Sequence, residues 1–377
     1  GLGGNKSNPQ ISATSTEAPK TVTSSPSSKQ SASAKPSGGN TNGGTQQVLG
    51  AYGFSAGELV DLNQSALDAR LNDFKNIGVK WVRMDIPWSQ VQAGGPNSYN
   101  WESYDRVVQS VQKHGLNMLA IVDYTPAWAR ASGCNLSEQE RCRPADPNRF
   151  AQYAGAVAAR YAGNGVNHFE VWNEQNHGSF WPTPNPAQYA QLLIPSYKEI
   201  KAKNPNATVI AGGMAPALTG NGDEIGPADF VNGLYAAGAG NSFDALAMHP
   251  YSYPALPSLQ EDWVGWQQMI AVRAVMAGKG DGNKKIWMTE FGAPTGGTGA
   301  GATQNNYNFA NNPDHVDHGL QAAIYADAIR MHKSYDWAGP LFFYGYRDMN
   351  WDNTNESFFG VHGKPAYDTI KGAIAGQ

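Results

Sequence analysis

The chain has 377 residues, 41% hydrophobic and only 15% charged, so it is long enough for one large core with many of its 11 Trp and 17 Tyr left over for a surface. Its net charge is -4, and because residues 1 to 47 hold four Lys against the single Glu17, the remainder carries about -7, which removes any electrostatic basis for gripping DNA or RNA. No apolar run approaches the roughly 18 to 20 residues of a membrane-spanning helix, and no charged-then-apolar leader opens the chain, which reads as an exported protein trimmed of its signal segment.

Residues 1 to 47 are Ser, Thr, Pro, Gly, Asn and Lys with almost no large apolar side chain, so burial cannot offset the entropy of ordering them and a disordered tail or linker is expected. Its Ser/Thr/Pro content resembles the linkers of exported proteins and fits a tether lying against a cell envelope; a plain exposed tail is the alternative. Residues 48–377 form the second predicted unit. There, strand-like runs at Leu49 to Phe54, Trp81 to Trp88, Met118 to Tyr124, His168 to Asn173, Thr208 to Gly213, Phe243 to Tyr251, Ile286 to Phe291 and Pro340 to Tyr346 alternate with helically spaced segments. The helical segments are Ser65 to Ile77, Tyr104 to His114, Arg149 to Ala162, Gln188 to Lys203, Ala228 to Ala237, Gln260 to Ala277 and Val316 to Ser334. Eight strands alternating with helices predict a (β/α)8 barrel. An open doubly wound sheet would want a glycine-rich phosphate turn after its first strand, and Gly53-Phe54-Ser55-Ala56-Gly57 lacks that spacing. The two cysteines, Cys134 and Cys142, lie close together in a polar loop and fit a disulfide, with two reduced thiols as the alternative.

Two glutamates end such strand-like runs: Glu174 in His168-Phe-Glu-Val-Trp-Asn-Glu and Glu290 in Ile286-Trp-Met-Thr-Glu. In a barrel of this kind the carboxyl ends of the strands form the active face, so both converge there with Arg83, Asp85, Asp123, His249, Tyr251 and Tyr344 in a polar, aromatic crater. A neutral carboxylic acid and a carboxylate across one sugar are what cleavage of a glycosidic bond requires.

Trp172-Asn173-Glu174, His249-Pro250-Tyr251 and Thr289-Glu290-Phe291-Gly292 resemble the strand four, six and seven signatures of the clan A glycoside hydrolases, which are retaining (β/α)8 enzymes. Thr125-Pro126-Ala127-Trp128 and Tyr344-Gly345-Tyr346-Arg347-Asp348 make the chain most similar to family 39 and its family 5-like relatives. The resemblance implies that Glu174 is the general acid/base, that Asn173 bonds the 2-hydroxyl of the reacting sugar, and that Glu290 is the nucleophile, held by Arg83 and Tyr251 beside His249. Two departures stand out: Tyr344 and Tyr346 occupy the strand-eight region where the clan usually offers a Trp platform, and Asn-Glu-Gln replaces the commoner Asn-Glu-Pro.

The expectation is therefore a secreted, monomeric, retaining O-glycoside hydrolase. Its substrate would be a bacterial envelope glycan or exopolysaccharide, or failing that β-xylan or β-glucan; a transglycosylase or a non-catalytic carbohydrate-binding barrel would carry the same residues. Trp88, Trp128 and Trp181 follow strand ends and are candidate sugar-stacking rings, as are Tyr344 and Tyr346, while Trp81, Trp263, Trp266 and Trp337 read as packing. Arg83 has a second reading as the structural partner of Asp85 or of a barrel carboxylate, and Asp85 reads as support. The long Gly296 to Asn312 segment is a candidate substrate-facing loop. No cofactor is expected. No metal is either, since His-Glu-x-x-His and close Cys/His spacings are lacking.

Overall fold

The computed structural model describes residues 50–305, 309 and 311–376. Its strands are β1 (Tyr52–Ser55), β2 (Trp81–Pro87), β3 (Asn117–Asp123), β4 (His168–Val171), β5 (Thr208–Met214), β6 (Ala245–Met248), β7 (Lys285–Phe291) and β8 (Ala338–Phe343). They close into one barrel in sequence order, each strand parallel to its neighbours, with β8 returning to β1. This is the predicted architecture; the predicted tail, and Leu49 of the first strand, lie outside the described residues.

The outer layer is α1 (Gln64–Ile77), α2 (Trp88–Val91), α3 (Glu102–Lys113), α4 (Pro147–Tyr161), α5 (Pro186–Lys203), α6 (Pro227–Ala236), α7 (Gly265–Gly278), α8 (His318–Lys333) and α9 (Pro365–Ala375). Their starts are written in the sequence. Asn63, Asn185 and Asp317 cap α1, α5 and α8 by accepting from the third backbone N–H beyond them, and proline opens α4, α5, α6 and α9. The helix after β8 was not anticipated. It is short, and its hydrophobic stripe, including buried Ala366 and Ile370, closes the ring against α8 and α1.

Side chains of alternate strand residues fill the barrel in layers. Trp81, Leu119, Ile210, Ala245, Ala247, Trp287 and Phe342 make an apolar floor. Two positions further along β2 and β4 the filling turns polar, with Arg83 and Glu170 both buried. That switch from apolar floor to ionic layer is what positions the site above it.

Candidate active site

Arg83 is the hub. Its Nε donates to Glu170 Oε1 at 2.7 Å, its Nη1 to Ser55 Oγ at 2.9 Å and to Glu290 Oε2 at 2.8 Å, and its Nη2 to Asn173 Oδ1 at 3.0 Å. Burial works against its charge, but the Glu170 and Glu290 carboxylates outweigh that and hold the guanidinium ionised. Glu170 also accepts from Gly213 N at 2.7 Å and from Thr289 Oγ1 at 3.1 Å, so the sequence reading of Arg83 as the partner of a barrel carboxylate holds alongside its contact with Glu290. Glu170 itself was missed. Its signal was an acidic residue in the middle of an apolar strand, which must be paired if it faces the core.

Glu290 stands at the end of β7. Arg83 grips one oxygen and the Tyr251 hydroxyl donates to the other at 2.8 Å. Burial still pushes this carboxyl up to about 7, with Arg83 and Tyr251 pulling it down.

Glu174 lies three residues past β4, in a backbone where Trp172 and Glu174 both take positive φ, 70° and 51°. Such left-handed conformations cost on the order of 1 kcal/mol or more for a residue with a Cβ. The turn is held by the Glu174 N–H, which donates to Gly213 O at 2.8 Å. Only glycine fits at 213, because a Cβ there would come within 2.1 Å of His249 Nε2.

His249 links the two glutamates: its Nδ1 is 2.7 Å from Glu174 Oε2 and 3.7 Å from Glu290 Oε1. Burial, then the Arg83 charge, pushes the imidazole well below its ordinary range, so it is neutral. Arg83 Nη2 approaches Nε2 at 3.4 Å and has only protons to offer, which leaves the ring proton on Nδ1, donated to Glu174. The other oxygen, Glu174 Oε1, is buried without a hydrogen-bond partner. Burial and then the charge of Glu290 raise the Glu174 carboxyl well above the usual range. One oxygen of each glutamate and one nitrogen of His249 all lie within 4.8 Å of one another. That spacing is compatible with a cation, but Arg83 already supplies the compensating charge to Glu290 and the arrangement suits a proton held on Glu174.

Other predicted site residues fall in different places. Asn173 is buried, its Nδ2 reaching Tyr124 OH at 3.4 Å. Asp123 ends β3, fully buried. Tyr344 is half-buried at the end of β8, its ring 6.5 Å from that of Tyr251 and 5.2 Å from that of Phe359. Trp128 is half-buried, its indole N–H bonded to Gln92 O at 2.7 Å. Trp181 does not line the crater: it is buried against Trp172 and Tyr189, its indole N–H on Gln188. Tyr346 follows the end of β8: it lines a small cavity with Tyr344, while its ring packs on Phe54 and Phe74 and its hydroxyl bonds Asp73 of α1. Trp88, fully buried, packs edge-on against Trp128. Cys134 and Cys142 are bonded, with Cα atoms 5.9 Å apart. The Gly296 to Asn312 segment is described only in part; Thr298 N bonds Asp314 and Ala302 bridges to Val316.

Glu174 is 0% and Glu290 3% exposed. Phe359, from the segment after β8, packs on Tyr251, Tyr253 and Tyr344. A cavity of about 20 Å³, room for about one water molecule, lies beside Ser55, Glu58, Tyr344, Tyr346 and Phe359. A larger cavity of about 800 Å³ lies elsewhere, around Tyr99, Trp101 and Arg106.

In comparisons with known proteins, the model of Glycosyl hydrolase family 14 matches residues 56–138. A stretch of 61 residues is 30% identical to chloroplastic beta-amylase 1 of Arabidopsis thaliana, covering 16% of this chain and 11% of that one. A beta-amylase of Medicago sativa is 34% identical over 58 residues, covering 15% of this chain and 12% of its own length. The family match includes Arg83 and Asp123 but neither Glu174 nor Glu290. Solved structures match far more of the chain. A family 39 glycoside hydrolase from Bacteroides cellulosilyticus WH2 aligns over 86% of this chain and 63% of its own, with TM-score 0.65 and 20% identity. A monomeric beta-xylosidase from Caulobacter crescentus CB15 aligns over 85% and 66%, with TM-score 0.60 and 17% identity. A GH5_18 enzyme of Streptomyces cattleya aligns over 86% and 80%, with TM-score 0.63 and 15% identity. The barrel is thus similar to those of family 39 and family 5 glycoside hydrolases; at these identities the likeness is one of fold. The chain spans less than two thirds of the first of these structures.

Proposed function

We propose that this chain is a retaining glycoside hydrolase in which Glu290 is the nucleophile and Glu174 the general acid/base. The observation that carries this reading is the asymmetry of two carboxyls within 4.8 Å of each other. Retaining enzymes hold their pair at about 5 to 5.5 Å, and inverting ones leave room for a water. Glu290 accepts two hydrogen bonds, one from a cation, which suits an ionised nucleophile. Glu174 accepts one from neutral His249 and keeps a free oxygen for a proton, which suits an acid.

In the first step Glu290 attacks the anomeric carbon while Glu174 protonates the departing oxygen. Glu174 then takes a proton from water, which releases the sugar with its original configuration. Arg83 and Tyr251 orient the nucleophile, and Asn173, already turned toward Arg83, is the candidate for the 2-hydroxyl. The fold likeness to glycoside hydrolases supports a carbohydrate substrate, with a bacterial envelope glycan or exopolysaccharide as the first choice and β-xylan or β-glucan as the second. The disulfide is compatible with export.

The test is turnover of activated aryl glycosides. Glu174→Ala should lose about 10²- to 10⁴-fold with poor leaving groups and recover with added azide, and Glu290→Gln should be essentially inactive. Unchanged turnover by both variants overturns the assignment.

A further inference from the structure

The loop between β3 and α4 brings a second buried guanidinium to the catalytic end of the barrel. Arg141 precedes Cys142, whose bridge to Cys134 closes that loop, and only 8% of Arg141 is exposed. Its guanidinium lies on the Phe180 ring, 4.1 Å from the centroid. Phe180 belongs to the turn that follows Glu174: its N–H donates to His177 O at 2.9 Å, and the His177 N–H donates to Glu174 O at 3.0 Å. These contacts put Arg141 on the Glu174 side of the crater. The electrostatics agree, because after the repulsion from Glu290 it is Arg141, ahead of Arg83, that acts most strongly on the Glu174 carboxyl, whereas Arg83 leads on Glu290.

What Arg141 lacks is an acceptor. Its Nε is buried without a hydrogen bond, and among the described residues no oxygen accepts from its other nitrogens and no carboxylate pairs with it. The acids nearby are engaged elsewhere: Glu140 accepts from Ser89 at 2.7 Å, and Glu174 is met by His249 at 2.7 Å and suited to hold a proton. Arg83 shows how this barrel furnishes a guanidinium that belongs to the frame, with two carboxylates, a hydroxyl and an amide oxygen. A buried charge without a counter-ion is destabilising. A free arginine fork is also one half of a bidentate pair, matched by two oxygens of a single anion. A neutral hydroxyl would accept one bond and leave the charge uncompensated.

We propose that Arg141 anchors an anionic substituent on the leaving-group side of the scissile bond, so that the sugar departing in the first step is acidic, carrying a carboxylate or a sulfate ester. This rests on the glycosidase reading, which sets Glu174 beside the departing oxygen, and narrows its substrate class. An unsubstituted β-xylan or β-glucan offers no such group.

The experiment uses the full chain carrying Glu290→Gln, titrated by calorimetry with oligosaccharides of several linkages that contain uronic acids or sulfate esters. Each is paired with a neutral twin made by carboxyl reduction or desulfation. At least one acidic form should bind about tenfold tighter than its twin, the difference expected for a hydrogen bond between charged groups. A preference for the uronate identifies the anion as a carboxylate, and one for the sulfated form identifies it as an ester; either supports the anchor. Arg141→Met, which keeps an unbranched side chain against the Phe180 ring, should abolish the preference with the melting temperature equal or higher, since an uncompensated charge is removed. Arg141→Lys, which keeps the charge and loses the fork, should retain part of it. Equal binding of all twins, binding of none, or a preference that survives Arg141→Met overturns the proposal. Failure of the glycosidase reading is separable: the wild-type chain would then be inert toward activated aryl glycosides of neutral and acidic sugars alike, whatever the titrations show.

Discussion

Glu170 and Asp123 are both fully buried acids in neighbouring strands, and they are furnished in opposite ways. Glu170 accepts from a guanidinium, a backbone N–H and a hydroxyl. Asp123 meets no N–H or hydroxyl donor; its side chain shares a hydrogen bond with Asp85, and burial, then the Asp85 charge, raises its carboxyl well above the ordinary range. The difference lies in what each acid faces. An acid met by a guanidinium, an amide and a hydroxyl stays ionised inside the barrel, whereas one that faces a second carboxyl keeps a proton.

Substitution makes this contrast measurable. The largest effect is expected from Glu170→Ala, which takes from the buried Arg83 guanidinium one of its two carboxylates and should cost about 3–5 kcal/mol in urea unfolding; a loss near zero would mean that Glu170 is not part of the frame. The loop carrying Glu140 is tied differently, by the bridge between Cys134 and Cys142. Replacing both by Ser should lower stability by about 2–3 kcal/mol, from the entropy of the short closed loop, without changing the frame strands in hydrogen exchange. The third effect is on rate. Since burial places Glu290 at about 7, kcat/KM should fall by roughly tenfold per pH unit below that value as the nucleophile takes up a proton. The alkaline limb should lie higher, where Glu174 loses its proton, and in Glu290→Gln the Glu174 carboxyl should titrate lower, as read by carboxyl NMR. A pH profile without an acid limb would break the assignment.

The smallest effect carries the opposite sign. With its folded pKa raised, Asp123 keeps its proton when the unfolded chain has released its own, so its contribution to stability is intact at pH 4 and declines as pH rises toward the folded value. Asp123→Asn should therefore stabilise by about 1 kcal/mol at pH 8 and by nothing measurable at pH 4. Destabilisation at pH 8 would show that the buried Asp123 carboxylate carries no net cost in the folded chain.

Much of this was legible in the sequence. The barrel followed from eight apolar runs alternating with helical spacing, and Glu174, Glu290, Arg83, His249 and Tyr251 came from motifs at strand ends, where the chain must leave the sheet. Trp181 was placed at the crater because it follows a strand, yet β4 ends at Val171 and the ring is buried against Trp172 and Tyr189. Strand periodicity predicts facing only while the strand lasts. Glu170 was hidden because a run of letters does not say which alternate residues face inward.

The missing side chain at Gly213 has a further consequence. That strand offers its carbonyl to the amide of Glu174 and its amide to Glu170, while the imidazole of His249 occupies the space where a methyl would stand. A single carbon added there would push the ring away from both acids without touching either of them. The contact of the imidazole with both acids is thus set by a hydrogen atom on a neighbouring strand, at a position that carries no chemistry and would pass unnoticed in any list of functional groups.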